Sequence, residues 1–297
     1  MKNKILAIFV CLLWGTAFAS VKFGLSYLTP LHLCGVRFTL AGIFLIPLLI
    51  YKKTDWNQCM KEWRFLLKFA FIQTVIQYSL FNFGLDKVAA AVSAIIIGIG
   101  PLMAAVMAHI FLPNDKLTVK KSVAIALGIL GVVFISLSKG FDGGSLNLEF
   151  WIGLTCLFLS CASGFYADIT VKKYSGKLSP YVLAAMGNLL GGIIIYVLAV
   201  IIGEGTPIKP LDIPFYLNMV WLGIIPAATF AIWYSLISQP GVKVSELNIW
   251  RFSIPLSGAV ISWIALKNET PDMNTIIGMI IICSSLLVLN ITPRKRG

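Results

Sequence analysis

Arg251 is the residue in this sequence best placed to bind a charged ligand, because it lies inside an apolar stretch, residues 244–266. A guanidinium inside a membrane-length helix is costly and normally faces protein or water. It can hold a carboxylate through two hydrogen bonds. Two interpretations stay open: Arg251 binds a substrate carboxylate, or it pairs with Asp168 or Glu246 or reaches the lipid headgroups. Helical spacing adds four residues to its face: Asn248, Pro255, Ala259 and Ser262.

Hydrogen-bonding side chains are also concentrated in another apolar stretch, residues 65–85. They are Gln73, Thr74, Gln77, Tyr78 and Asn82. Such groups cannot face lipid unsatisfied without a cost of several kcal/mol each. They therefore bond to neighbouring helices or contact a substrate, and both interpretations stay open.

Aromatic residues, Trp14 among them, and small residues complete the candidate cavity. Trp233 shares a predicted helix face with Thr229, Phe230 and Pro226, and this wall either accepts an apolar or cationic substrate or simply packs. Small residues allow close helix packing or leave space for a ligand, and they mark residues 94–108: Ala94, Gly98, Pro101, Ala104, Ala105 and Ala108. Pro101, Pro226 and Pro255 are expected to kink their helices and to act as gates.

The composition places these residues in a membrane protein. The chain has 297 residues, of which 58% are hydrophobic and 12% charged, and its mean hydropathy is +0.89. The net charge of +12 comes from short loops rather than one basic face, so no nucleic-acid partner is expected. The cysteines have no metal-ligand spacing, and only His32 and His109 are available for catalysis. We therefore expect no cofactor and no enzyme, with a lipid-modifying enzyme as a remote alternative.

Hydropathy predicts ten membrane helices, since each crossing needs about 20 apolar residues. The predicted spans are 5–23, 31–51, 65–85, 88–112, 119–137, 150–171, 180–202, 213–236, 244–266 and 273–291. The eighth is expected to be broken by Pro226. The fold class is thus an all-α polytopic membrane protein.

Charge predicts the orientation, because cytoplasmic loops collect Lys and Arg. One set of alternate loops holds most of the basic residues, together with both termini. The opposite loops hold only Lys22, Lys87, Lys139, Lys209 and Lys267. We therefore expect a multi-pass protein of the inner or plasma membrane with both termini in the cytoplasm.

The sequence also repeats itself. Residues 11–43 align without a gap on residues 161–193, and the most informative matches are Cys11/Cys161, Lys22/Lys172, Pro30/Pro180 and Gly42/Gly192. Later, Pro101 and Pro255 are each followed at the same distance by an acid, Asp115 and Glu269. The prediction is two five-helix repeats, residues 1–143 and 144–297, joined by a Gly-rich linker at 139–147. Five spans each would make the repeats inverted.

These residues resemble the EamA-type permeases of the drug/metabolite transporter superfamily. The likeness rests on Trp14-Gly15, on Arg37 in the second helix and on the proline-then-acid pattern. It implies ten helices, with a central cavity lined by the first four of each half and with the fifth and tenth at the periphery. Members move amino acids, other metabolites and drugs. The chain departs from the pattern at Asp115, usually Glu, and at Gly164, often a second Trp.

The leading hypothesis is an alternating-access transporter of a small metabolite, an amino acid or a related compound, most simply an exporter. The alternative is an importer, or a multidrug-type exporter of organic cations. Asp168 and Glu246 lie near predicted cytoplasmic ends, so no mid-membrane carboxylate is expected, which favours facilitated diffusion or exchange. Arg37 is expected in a structural or gating ion pair. The expected partners are a small-molecule substrate and the lipid bilayer, with a possible homodimer through the fifth and tenth helices.

Overall fold

The computed structural model describes residues 2–87, 97, 100–138, 148–204, 206–254, 257 and 273–290. Its helices are α1 (Lys2–Gly24), α2 (Pro30–Tyr51), α3 (Trp56–Lys61), α4 (Trp63–Ala70), α5 (Gln77–Lys87), α6 (Gly100–Phe111), α7 (Val119–Ser138), α8 (Leu148–Lys173), α9 (Pro180–Ile201), α10 (Ile213–Ser238), α11 (Val244–Ile249) and α12 (Met273–Asn290). A π-helical segment, Phe71–Ile76, joins α4 to α5. A 3₁₀ turn, Trp250–Phe252, follows α11.

The all-α membrane fold predicted from the sequence is confirmed. Four described helices, α2, α8, α9 and α10, are individually long and apolar enough to cross a bilayer, and shorter apolar helices occur at Asn3–Ala17, Gly100–Phe111 and Ile276–Val288. Every predicted span contains described helix, but most of the ninth span, the start of the fourth and the linker at 139–147 lie outside the described residues. The count of ten helices therefore stays a prediction.

Two predicted spans have a different local structure from the one expected. The third is helical from Trp63 to Lys87, but its centre, Phe71–Ile76, is a π-helix. The eighth was expected to break at Pro226, and this is wrong, since α10 continues through Pro226 from Ile213 to Ser238. A proline removes one backbone hydrogen bond, and packing by neighbouring helices can compensate for it within a membrane protein.

Helices α2 and α9 begin alike and pack against each other. Each has a proline as its first residue, Pro30 or Pro180, preceded by an extended Thr29 or Ser179. Pre-set proline dihedrals favour a helix start at this position. In the described chain α7 packs against α12, α5 against α8, and α1 against α10. Exchanging the first five spans with the last five leaves the α2–α9 and α7–α12 pairings unchanged and converts α5–α8 and α1–α10 into each other, as related repeats would do. The duplication itself stays a prediction.

Glycines bring α2 and α9 into backbone contact. A Cβ atom on Gly35 would lie 2.6 Å from both the N and the Cα of Tyr196. Gly42 faces the backbone of Leu189 in the same way, and Gly192 faces the backbone of Thr39. Residues without side chains are the ones that allow helices to approach this closely. The shared face of these two helices is therefore sensitive to any added atom.

We expect Gly35→Ala to lower the unfolding free energy by about 2 kcal/mol, because the new methyl group collides with backbone that cannot rotate away. The control is Gly24→Ala, whose methyl group would meet the side-chain Cδ1 of Leu33 at 2.8 Å. That side chain can adjust. Thermal unfolding of both variants in detergent tests this difference, and equal melting temperatures would contradict it.

Candidate functional site

A buried carboxylate, Asp168, is the centre of the candidate site. It lies in α8, is 2% exposed, and receives three hydrogen bonds on one oxygen, Oδ2. The donors are Arg251 Nη2 at 3.0 Å, Asn248 Nδ2 at 3.1 Å and Trp233 Nε1 at 3.3 Å. Because Trp233 belongs to α10, this one carboxylate ties together α8, α10 and the α11 segment.

Local helix geometry explains why Asn248 and Arg251 reach the same acceptor. The α-helix ends at Ile249 and passes into the 3₁₀ turn Trp250–Phe252. Asn248 lies in the α-helix and Arg251 in the 3₁₀ turn. Residues three apart lie on the same face in both forms, so the two side chains point the same way. Their predicted common face is confirmed for this pair, while Pro255, Ala259 and Ser262 lie outside the described residues.

Three aromatic rings surround the guanidinium of Arg251. Its Cζ lies 5.1 Å from the ring centroid of Trp14, 5.2 Å from that of Phe165 and 4.7 Å from that of Trp233. We call these three residues the aromatic cage. Cations within about 6 Å of a ring centroid are attracted by the ring quadrupole. Trp14 and Trp233 also pack edge to face, with centroids 5.2 Å apart.

Several polar atoms near this centre lack a hydrogen-bond partner among the described residues. They include Arg251 Nε, Asn248 Oδ1 and Thr229 Oγ1. Buried polar atoms are normally satisfied. The arginine and the asparagine are therefore each only partly satisfied by Asp168, which leaves hydrogen-bonding capacity for another group.

Two of the polar side chains of the third span, Thr74 and Asn82, bond to neighbouring helices. Thr74 Oγ1 lies 2.9 Å from the carbonyl oxygen of Gly187 in α9, and Asn82 Nδ2 lies 3.1 Å from Cys34 Sγ in α2. Gln73 is fully buried in the π-helix, and its Nε2 has no partner within the described chain. Interhelical bonding, one of the two interpretations, is thus what the structure shows for Thr74 and Asn82.

Gln77 explains one departure from the family pattern. A Cβ on Gly164 would lie 2.7 Å from Gln77 Nε2, so the space that a second tryptophan needs is filled by this amide. The backbone carbonyl oxygens of Gln77 and Ile72 accept hydrogen bonds from Ser160 and Ser163 of α8, at 2.7 and 2.6 Å. The third span and α8 are therefore joined through polar groups.

Arg37 makes ring contacts in place of the expected ion pair. Its Cζ lies 4.5 Å from the Phe38 ring centroid and 5.4 Å from that of Tyr78, and those rings are 4.3 Å apart. No ion pair of Arg37 occurs within the described chain, where its Nε is also unpartnered. Of the predicted gating prolines, Pro101 is buried at the start of α6, whereas Pro255, like the cavity candidate Gly98, lies outside the described residues.

A second buried charge group links the two halves of the chain near the start of α11. Asp115 accepts hydrogen bonds from Lys121 Nζ at 2.6 Å, from the Ser245 N–H at 2.8 Å and from the Ser245 hydroxyl. Burial opposes ionisation of this loop carboxyl, but the hydrogen bonds from Lys121 and Ser245 outweigh it and lower its pKa. We call Asp115, Lys121 and Ser245 the Asp115 cluster. Neither partner was predicted from the sequence.

A cavity of about 270 Å³ lies beside this cluster. It is lined by Leu112, Pro113, Asn114, Asp115, Lys172, Gly241, Val242, Lys243 and Val244. Lys172 Nζ donates to the carbonyl oxygens of Ile237 and Gln239, at 2.9 and 2.7 Å. That lysine therefore caps the end of α10, where cations are favourable.

The segments that precede α2 and α10 are also linked to each other. The hydroxyl of Tyr27 donates to Asp212 at 2.8 Å, and Thr29 donates to the Glu204 carbonyl oxygen at 3.0 Å. Lys209 Nζ lies 3.6 Å from the Tyr27 ring centroid. The loop between α1 and α2 is thereby fixed to the segment between α9 and α10.

Apolar helices surround a buried ion pair and a cage of aromatic side chains, as in a polytopic membrane protein with an internal polar site. The chain belongs to the EamA-like transporter family, whose model matches residues 1–137 and 150–291. This confirms the resemblance noted in the sequence.

Relatives of similar length are also transporters by name. The chain is 20% identical to the uncharacterized transporter YoaV of Bacillus subtilis, covering 97% of this chain and 96% of the relative. It is 24% identical to a probable amino-acid metabolite efflux pump of Escherichia coli, covering 97% and 94%. A solved crystal structure superposes with a TM-score of 0.83 at 15% identity, covering 97% of both chains. That last match concerns the fold alone.

Proposed function

We propose that this transporter exports an amino acid or a related small metabolite by alternating access. The observation that carries the proposal is the Arg251–Asp168 pair. Arg251 can pair with the carboxylate of such a molecule, and Asp168 can pair with its amine. The printed name of the Escherichia coli relative, an amino-acid metabolite efflux pump, supports the same substrate class. The aromatic cage around a cation favours a second candidate, the export of organic cations.

The proposed motion is a rocking of two inverted halves with both termini in the cytoplasm. Support comes from the excess of basic residues in alternate loops and from the two ranges of the family match, residues 1–137 and 150–291. The exchange-related helix pairings add to it. The Asp115 cluster and the Tyr27–Asp212 contact lie at opposite helix ends, and we propose them as the contacts that open and close the two sides.

Asp168 bears on whether transport is coupled to the movement of protons. This carboxylate, predicted near the cytoplasmic end of its helix, lies close to the end of α8 at Lys173 and is buried there, 2% exposed. A buried carboxylate normally needs a proton or a paired cation. Here Arg251 supplies the cation at 3.0 Å. Facilitated transport or exchange therefore remains the proposal, now on the ground that Asp168 is neutralised within the protein.

Transport by purified protein in liposomes tests the function. The wild type should move at least one member of a broad amino-acid and metabolite panel, and Arg251→Ala should reduce that rate at least about tenfold, the effect of losing about 1.4 kcal/mol of binding. Arg64→Ala, which removes an exposed arginine, is the matched control. Failure of the wild type to move any compound would refute the proposal.

A further inference from the structure

The residues around Arg251 have the composition of a site that binds a cation. A positive group lies about 5 Å from three aromatic rings, contributed by α1, α8 and α10, and 3.0 Å from a buried carboxylate. Rings and a carboxylate together form the usual environment in which proteins bind ammonium and guanidinium ligands. In this protein its occupant is one of the chain's own side chains.

Contacts that do not involve Arg251 also hold the site in shape. Asp168 Oδ2 is also held by Asn248 at 3.1 Å and by Trp233 at 3.3 Å, so the carboxylate stays oriented if the guanidinium leaves. Trp14 and Trp233 pack against each other at 5.2 Å. The aromatic cage and its acid are thus preorganised.

Arg251 itself is held less firmly than the residues around it. One of its nitrogens, Nη2, bonds to Asp168, while Nε has no partner among the described residues. Its side chain is 18% exposed, whereas that of Asp168 is 2% exposed. It also stems from a 3₁₀ turn, a form often found at hinges. A change in this short turn would withdraw the guanidinium and leave the cage intact.

We propose that the aromatic cage and Asp168 form a cation subsite, which Arg251 occupies as a placeholder until the ammonium group of a substrate displaces it. The displaced guanidinium then holds the carboxylate of the same molecule. This inference rests on the proposed function and names its substrate class, molecules that carry a cationic amine.

Charge balance favours a zwitterion among these molecules. Arg251 and Asp168 are together neutral, and a zwitterion that inserts between them leaves the site neutral. A simple cation or a simple anion would leave one uncompensated charge in a low-dielectric region, which is costly. Amino acids with a free amine should therefore bind better than either the amine or the acid alone.

Emptying the cage tests the subsite directly. In Arg251→Ala, methylguanidinium or tetramethylammonium should raise the melting temperature by about 3 °C at roughly ten times its dissociation constant. The neutral isostere methylurea should have no effect, and neither cation should stabilise Arg251→Ala/Asp168→Asn. A folded Arg251→Ala protein that binds neither cation would overturn the proposal.

A second variant covers the case in which Arg251→Ala does not fold. Phe165→Leu removes one ring and no hydrogen-bonding group. It should raise the dissociation constant of a bound amino acid by about fivefold, and it should leave the binding of the same acid without its amine unchanged. Equal effects on both ligands would contradict a cation subsite.

The cation subsite and the transport function would be refuted by different results. A wild-type protein that transports a zwitterion, with an Arg251→Ala variant that binds no cation, would refute the subsite and leave the transport function standing. Cation binding by Arg251→Ala, together with no transport of any panel compound by the wild type, would refute the transport function and leave the cation subsite standing.

Discussion

Asp115→Asn should lower the unfolding free energy by about 3–5 kcal/mol, the range for breaking a buried ion pair. The side chains of Asp115 and Lys121 are 4% and 3% exposed, and their charged atoms are 2.6 Å apart. An asparagine cannot neutralise Lys121, which would remain a buried charge with the Lys116 carbonyl and the more distant, exposed Glu246 at 3.8 Å as its partners. Thermal or denaturant unfolding in detergent measures the loss.

Acid should remove the same contribution from the wild type. The pKa of Asp115 is lowered in the folded protein from 3.8, so the folded state binds fewer protons than the unfolded state near this pH. The stabilisation is present above about pH 4 and is lost as the pH falls through the lowered pKa. The difference in stability between wild type and Asp115→Asn should therefore shrink below about pH 4.

Glu246→Gln is the matched control for this cluster. Glu246 lies 3.8 Å from Lys121 and 3.5 Å from Lys243, but its side chain is 46% exposed. Exposed ion pairs contribute about 0–1 kcal/mol. If Glu246→Gln destabilised the protein as much as Asp115→Asn, burial of the Asp115 pair would not be the source of its strength.

Hydropathy predicted where the helices lie, because lipid requires long apolar segments whatever the tertiary structure. It could not predict the π-helix at Phe71–Ile76, where Thr74 and Gln73 pack against α9, because a single sequence does not show contacts between distant segments. The expected break at Pro226 failed for a related reason. Neighbouring helices, which the local sequence does not reveal, hold α10 together.

Most members of the candidate site were recognisable because they are polar or aromatic within apolar runs, as are Arg251, Asn248, Trp233 and Trp14. The sequence indicates Asp168 only as a partner of Arg251, and it does not single out Phe165. A signal was present, because these two residues are three apart on α8 and share a face. Their contact with Arg251 joins distant segments, and a single sequence does not show such contacts.

Asp168→Asn should reduce transport at least about tenfold and lower the unfolding free energy by about 2–3 kcal/mol. Breaking a buried pair usually costs about 3–5 kcal/mol, but here Arg251 keeps its three ring contacts and an 18% exposed side chain. The loss of stability should therefore be smaller than for Asp115→Asn. Transport in liposomes and unfolding in detergent measure the two effects on the same preparation.

A double-mutant cycle with Arg251→Gln separates pairing from substrate binding. If the charges mainly stabilise each other, Asp168→Asn/Arg251→Gln should recover at least about 1 kcal/mol relative to the sum of the single losses. Transport should not recover, because the substrate would have lost both of its charged contacts. Recovery of transport in the double variant would show that the pair only supports the fold, and additive losses of stability would show that the two charges do not interact.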